Sequence, residues 1–346
     1  MKIKSSVIIA ISCLIIISCS TFKIGNNWIN SNIEGHYCDE KPSLKDDFYQ
    51  SVNYEKLTNS EFSSNSHLAG IQNNMTLLLN KQIPELQNAT VPFDVETDKF
   101  IKLYKKCNDW NSRNKEGLNT IIPLIKKINS IQSIKDFNSF FENESLKLIF
   151  PLRINMKSNN GYFYVPLIEI NYLFDKYPNE CKSFCSVMFQ KLGYSEKETS
   201  ELLEKAYCFE KSFNTKQNLN YENQNVNITK QRIKTEFANL PLFEYIESFG
   251  LPGNTFCISN MNVLKILDLN FTEDNLEAIK VLCICKLLLT SSSFLDKETL
   301  DLYLSIVEKN KYGKQISYTN DEISVKILND YVPEFVGKIW YTNYCV

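Results

Sequence analysis

A mainly α fold, a large multi-helix lobe carrying one small β-hairpin, is the class this sequence predicts. Three observations lead there. Glycine and proline are scarce, at ten each in 346 residues, so long segments run without a helix breaker. Apolar residues recur at helical spacing, with Phe100, Leu103, Tyr104 and Cys107 at i, i+3, i+4 and i+7, the stripe of an amphipathic helix. Between Leu146 and Ile170 the pattern changes to apolar and aromatic runs, Leu-Ile-Phe-Pro-Leu-Arg-Ile and Tyr-Phe-Tyr-Val, around Asn159-Asn160-Gly161. Such runs flanking a glycine-containing turn predict a hairpin.

The chain opens with Lys2 and Lys4 and an apolar run from Val7 to Ile17, a charged region and a core of signal-peptide length that is too short to span a bilayer. Ile16-Ile17-Ser18-Cys19 then places an aliphatic residue three before a cysteine and a small one directly before it. A bacterial lipoprotein signal peptidase reads that pattern, so residues 1–18 are expected to be removed and Cys19 to carry the lipid. A plain secretory signal with incidental cysteines is the other reading. Residues 19–43 are polar and suit a tether. The expected location is the bacterial cell envelope, extracytoplasmic and attached to the membrane through the N-terminal lipid.

Beyond the tether, Asp46 to Leu57 is predicted as an opening helix, with Asp46-Asp47 at its N-terminus where the macrodipole favours carboxylates. A second helix follows from Leu68 to Leu86. The stripe from Thr97 forms the next, and Leu118, Ile121, Ile125 and Ile128 continue the pattern after Gly117. Ser133 to Phe141 is expected to be a short helix before the hairpin. Ser195 and Glu198 form a capping box ahead of Leu202, Ala206, Phe209 and Phe213, a firm helix start. Lys216 to Asn227, rich in Asn and Gln, is expected to be a surface loop, and Phe256-Cys257-Ile258 a short strand. Leu276 to Leu289 is apolar almost all round, which places it at the centre of the fold; Ser291-Ser292-Ser293 ends it.

Removing residues 1–18 takes Lys2 and Lys4 from the 38 basic residues and none of the 40 acidic ones, leaving a formal net of −4. A weakly acidic protein argues against a nucleic-acid partner, because phosphate binding relies on clustered positive charge and the basic runs here are few. Lys105-Lys106 and Lys126-Lys127 read as solvated helix faces. The cysteines fall mostly at apolar helical positions, where free Cys behaves as a small hydrophobe. No Gly-rich phosphate loop and no Gly-x-Ser-x-Gly elbow is present.

Leu44-Lys45-Asp46-Asp47-Phe48-Tyr49-Gln50-Ser51-Val52-Asn53 resembles the opening motif of the neprilysin family of zinc metallopeptidases, whose members include the endothelin-converting enzymes and bacterial oligopeptidase O. Thr97 to Leu118, with Leu103-Tyr104-x-x-Cys107 and Arg113-Asn114-x-x-Gly117-Leu118, is similar to that family's Lys-rich helix and the turn after it. Gln190 to Phe213 is similar to its LGYSEEE helix. Phe256 to Ile266, Leu276 to Leu295 and Val332 to Tyr344 follow in the family's order. The resemblance covers the N-terminal region and departs from it where Glu169 to Asp175 replaces a glycine-rich loop.

What the resemblance implies is the non-catalytic helical lobe of such an enzyme, spanning 44–331, with 332–346 as the start of the catalytic half. Family chemistry requires HExxH, in which two imidazoles on one helix face hold zinc while the Glu activates water. This sequence has two histidines, His36 and His67, and neither is followed by Glu. No catalytic, metal-ligating or substrate-binding residue is therefore assigned, and zinc is expected only in a catalytic half. Expected partners are a separately encoded catalytic half or oligopeptides. The alternative is a free-standing cell-surface lipoprotein acting as a peptide-binding or interaction module.

Overall fold

The computed structural model describes residues 43, 45, 51–52, 79–85, 95–159, 163–214, 225–308 and 318–337. The chain divides into two units, Met1–Thr76 and Leu77–Val346, and the second holds the sheet and the core helices. Cys19, His36, Asp46, Asp47 and His67 lie outside the described residues, as does most of the predicted opening helix.

A helix at 79–85 (α1) is followed by α2, Val95–Cys107. Asp109 then accepts from Ser112 N and starts α3, Trp110–Glu116. A 3-10 turn, Gly117–Thr120, leads into α4, Ile122–Asn129. Ser133 and Asp136 form a reciprocal cap on a second 3-10 turn that continues as α5, Phe137–Phe140. Asn143 caps α6, Glu144–Leu148, by accepting from Ser145 N and Leu146 N.

The predicted hairpin forms from β1, Leu152–Asn159, and β2, Phe163–Ile170, antiparallel from Leu152 opposite Ile170 to Asn159 opposite Phe163. Its start is later than the apolar run suggested. Leu146 to Leu148 belong to α6, because the Asn143 cap starts a helix there, and the fully buried Phe150 precedes the strand. After α7, Pro178–Lys191, and α8, Glu196–Phe213, the chain enters β3, Val226–Thr229. Sequence reading assigned Val226 and Asn227 to a loop. They form a strand because Ile228 is buried and β3 pairs antiparallel with β4, Thr255–Ile258. Two short helices intervene, α9 (Lys230–Glu236) and α10 (Leu242–Glu247). Since β4 also pairs parallel with β2, the sheet order is β1-β2-β4-β3.

The remaining helices are α11 (Met261–Asn270), α12 (Leu276–Ser291), α13 (Lys297–Tyr303, running into a π-helical turn, Leu304–Glu308), α14 (Asn320–Tyr331) and α15 (333–337). As its composition predicts, α12 runs through the core, with Val281 to Leu288 buried without interruption. Beside the sheet, Phe137, Phe140, Phe141, Phe150, Tyr245 and Phe271 interlock, mostly edge to face; the Phe137–Phe271 centroids are 5.3 Å apart. Each such ring buries about 1.5–3 kcal/mol of transfer free energy, and edge contacts add about 0.5–1.5 kcal/mol per pair.

A second apolar cluster joins α1, α2, α14 and α15 through Leu79, Ile83, Phe100, Tyr104, Val325, Leu328 and Val336. Val336 is buried, and Phe335 stacks on Phe100 with centroids 6.4 Å apart.

Candidate functional site

The motif residues of the α2–α3 region converge on helix ends. Arg113 donates from Nη1 to Cys107 O (2.8 Å), from Nη2 to Ser293 O (2.5 Å) and from Nε to Leu295 O (3.0 Å). Its guanidinium lies 3.7 Å from the centre of the Trp110 ring, a cation–π contact. Burial lowers its pKa to about 10, against the pull of Cys107 and Asp296. Asn114 Oδ1 accepts from Lys297 N at 2.9 Å. Gly117 takes φ +51 with ψ −130, a conformation that side chains avoid, and so turns the chain beside Asp296. Thus the Arg-Asn-x-x-Gly-Leu turn fastens α3 to the end of α12 and the start of α13.

One turn earlier, the buried Tyr104 hydroxyl donates to Asp321 Oδ1, and Asn108 Nδ2 donates to the same oxygen at 2.8 Å. Ser324 Oγ completes the set by donating to Asn108 Oδ1 at 3.3 Å. Burial, reinforced by the Asp321 bond, holds the phenol well above its ordinary pKa. These bonds join α2 to α14.

A third polar centre lies inside the core. Glu210, on α8, accepts from Leu173 N (2.7 Å) and Phe174 N (2.6 Å). Lys286, on α12, donates to Phe150 O at 3.4 Å and to Asn171 O. Only 2% of Glu210 and 3% of Lys286 is exposed, so both charges depend on these partners. Burial pushes the Lys286 amine down to about 8, with Glu210 opposing the fall. Burial likewise raises the Glu210 carboxyl, against the two backbone donors and Lys286. Together they grip by its backbone the segment after β2 that departs from the glycine-rich family loop. The sequence held one signal of this site, a lone lysine inside the apolar run of α12.

Two cavities open on this part of the molecule. One, of about 540 Å³, lies between the end of α12, α13 and α14, lined by Leu289, Thr290, Tyr303, Ile323, Ile327 and Tyr331 among others. The other, of about 500 Å³, is polar and includes Asn114, Lys191, Asp296 and Glu298.

Comparison with known proteins places this architecture. A sequence model described as Peptidase family M13, covering the family's N-terminal part, matches residues 44–345. The chain belongs to peptidase family M13. No curated protein matches it in sequence. Among solved M13 structures, PepO from Lactobacillus rhamnosis HN001 superposes with a TM-score of 0.71 at 14% identity, covering 88% of this chain and 52% of PepO. The zinc metalloprotease Zmp1 of Mycobacterium tuberculosis, in complex with an inhibitor, gives 0.74 at 12% identity, covering 90% and 52%. Its open state gives 0.69 at 11%, covering 88% and 51%. The chain therefore spans about half the length of the structures it matches, and at these identities the likeness shows the fold.

For an M13 chain the test is whether these residues fit zinc, and the described ones do not. Among them no three His, Cys, Asp or Glu side chains converge as a metal site. Glu198 is engaged in the Ser195 cap, where Ser195 N donates to its Oε2 at 2.9 Å, and Glu201 points to solvent. The cysteine pairs are core residues: Cys181, Cys185, Cys283 and Cys285 are buried, and burial raises the Cys181 and Cys283 thiols to about 12. Burial thus disfavours the thiolate form that a metal would take.

Proposed function

We propose that this chain supplies the helical, non-catalytic part of a neprilysin-like zinc metalloendopeptidase and does not cleave peptides by itself. The observation that carries the reading is a family match over 44–345 in a sequence whose two histidines stand apart and outside any HExxH. Peptide hydrolysis at zinc needs nitrogen ligands on one helix face, an open coordination position and a carboxylate to activate water. In this reading those groups come from a catalytic half, and the helical lobe walls a chamber that admits oligopeptides. The Arg113, Tyr104 and Lys286–Glu210 centres support it as scaffold, since each spends its polar atoms on chain ends and backbone. Attachment to the envelope through a lipid on Cys19 belongs to the same proposal.

Elemental analysis and a broad peptide-cleavage screen test it. The purified chain is expected to hold no stoichiometric zinc and to cleave nothing; chelator-sensitive cleavage by the chain alone would overturn the reading. Cys19→Ala is expected to release the protein from the membrane fraction and to remove a diacylglycerol adduct from its mass.

The second reading, a free-standing interaction module, is favoured by one observation. Phe335 and Val336, from the segment assigned to the catalytic half, already pack on the lobe's own α2 and α14. Isolation of the native protein as a lone chain would select this alternative.

A further inference from the structure

The outward face of α2 carries Lys99, Lys102, Lys105 and Lys106, all exposed. Their spacings of three and four residues set them together, opposite the buried Phe100 and Tyr104. Elsewhere lysines are commonly neutralised: Lys182 by Glu204, Lys191 by Glu298, Lys205 by Glu277 and Lys230 by Glu247. The four on α2 make no ion pair among the described residues, although Glu96 precedes Lys99, and Asp98 precedes Lys102, by one turn. Asp109, one turn beyond Lys105, is committed to capping α3. Among the lysines stand two exposed aliphatic residues on the same helix, Val95, 70% exposed, and Leu103, 40% exposed. Neither of the two cavities is lined by α2.

We infer that this face of α2 is a docking surface for an anionic lipid bilayer. The chemistry favours that occupant. Four ammonium groups on flexible stems, spread over a convex helix, suit a laterally mobile layer of phosphates better than one fixed carboxylate. Val95 and Leu103 add apolar surface at the depth where an amphipathic helix beds into headgroups. Each lysine held near an anionic leaflet is worth about five-fold in partitioning. With Glu96, Asp98 and Asp109 opposing, the set is expected to give on the order of five- to ten-fold preference for anionic over neutral vesicles at low salt. The contact would orient the lobe on the membrane, whether or not a lipid holds it there, and it is independent of the peptidase reading.

The test is flotation of the full chain carrying Cys19→Ala with vesicles of phosphatidylcholine, with and without phosphatidylglycerol. Lys2 and Lys4 of the leader are replaced by Gln in every protein compared, so that binding through the apolar leader contributes alike to both vesicle types. The anionic preference is expected to fall with rising salt and to vanish in a Lys99→Gln, Lys102→Gln, Lys105→Gln, Lys106→Gln variant. A Lys126→Gln, Lys127→Gln control on α4 is expected to keep it, and unchanged circular dichroism and melting would show that both variants fold. Equal binding to the two vesicle types, or an equal loss in the control, would overturn the inference. A single Lys102→Glu substitution provides a second reading and is expected to remove several-fold of the preference.

Discussion

Arg113 and Lys286 are both cations withdrawn from water, and the fold holds them by different means. Arg113 lies at a joint between chain turns, its planar fork shared among three carbonyls and its face covered by Trp110. Lys286 sits in the middle of a core helix as a point charge, between the carbonyls of Phe150 and Asn171, with the Glu210 carboxylate acting on it from α8. A guanidinium is weakly hydrated and pre-shaped for several acceptors, whereas a buried ammonium depends on a counter-charge. The first site is therefore expected to depend on geometry and the second on charge balance.

Removing Glu210 tests the second site hardest. Glu210→Ala should cost about 3–5 kcal/mol in urea unfolding, because it strands Lys286 and leaves the N–H groups of Leu173 and Phe174 unpaired. Adding Lys286→Met to a Glu210→Gln background should recover much of the loss. A single-mutant cost below about 1 kcal/mol would mean that water reaches the pair.

Arg113→Lys sharpens the first half of the comparison, since it keeps the charge and discards the fork. A loss of about 2 kcal/mol is expected by the same measurement. Wild-type stability in this variant would show that charge alone holds the joint.

The smallest effect is a dependence on pH. Lys286 has a folded value of about 8 against an ordinary 10.5. Between these values the unfolded chain binds a proton that the folded chain has released, so stability rises with pH by about 1 kcal/mol per unit. The buried thiols act in the opposite sense: Cys181 and Cys283 move from an ordinary 9.0 to about 12. Above pH 9 they ionise in the unfolded chain alone, and stability falls. Arg113, lowered only to about 10, takes no part in the rise below that pH. With Cys107, Cys185 and Cys257 also raised by burial, the stability curve is expected to pass through a shallow maximum between pH 8 and 9 and then to descend. Unfolding titrations of Lys286→Met should show the descent without the climb.

Much of this was legible in the sequence, for local reasons. Ser195 and Glu198 announce α8 because a capping box is written in neighbouring residues. The α12 core helix shows through a run that is apolar almost all round, and the hairpin through the Gly-containing stretch Asn159-Asn160-Gly161. What stayed hidden was set by distant partners. β3 becomes a strand only because β4 lies alongside, and the parallel pairing of β2 with β4 leaves no local mark. Glu210 resembles any other surface carboxylate of an amphipathic helix until its α8 position meets the segment after β2. Arg113 was recognisable as part of a motif, yet its work as a joint, with Trp110 over its face, needs the ends of α12 and α13 brought beside it.

The parallel pairing also bears on how the molecule assembles in time. β1 and β2 can zip across a short turn within microseconds. Leu167 meets Cys257, and Ile168 meets Ile258, only after α7, α8, β3, α9 and α10 have been laid between them. Closing so long a loop costs chain entropy before any ladder bond repays it, and contacts of this separation slow folding. The sheet is thus seeded early at one edge and completed late at the other, with β4 the keystone whose arrival commits the helices on either side to one arrangement.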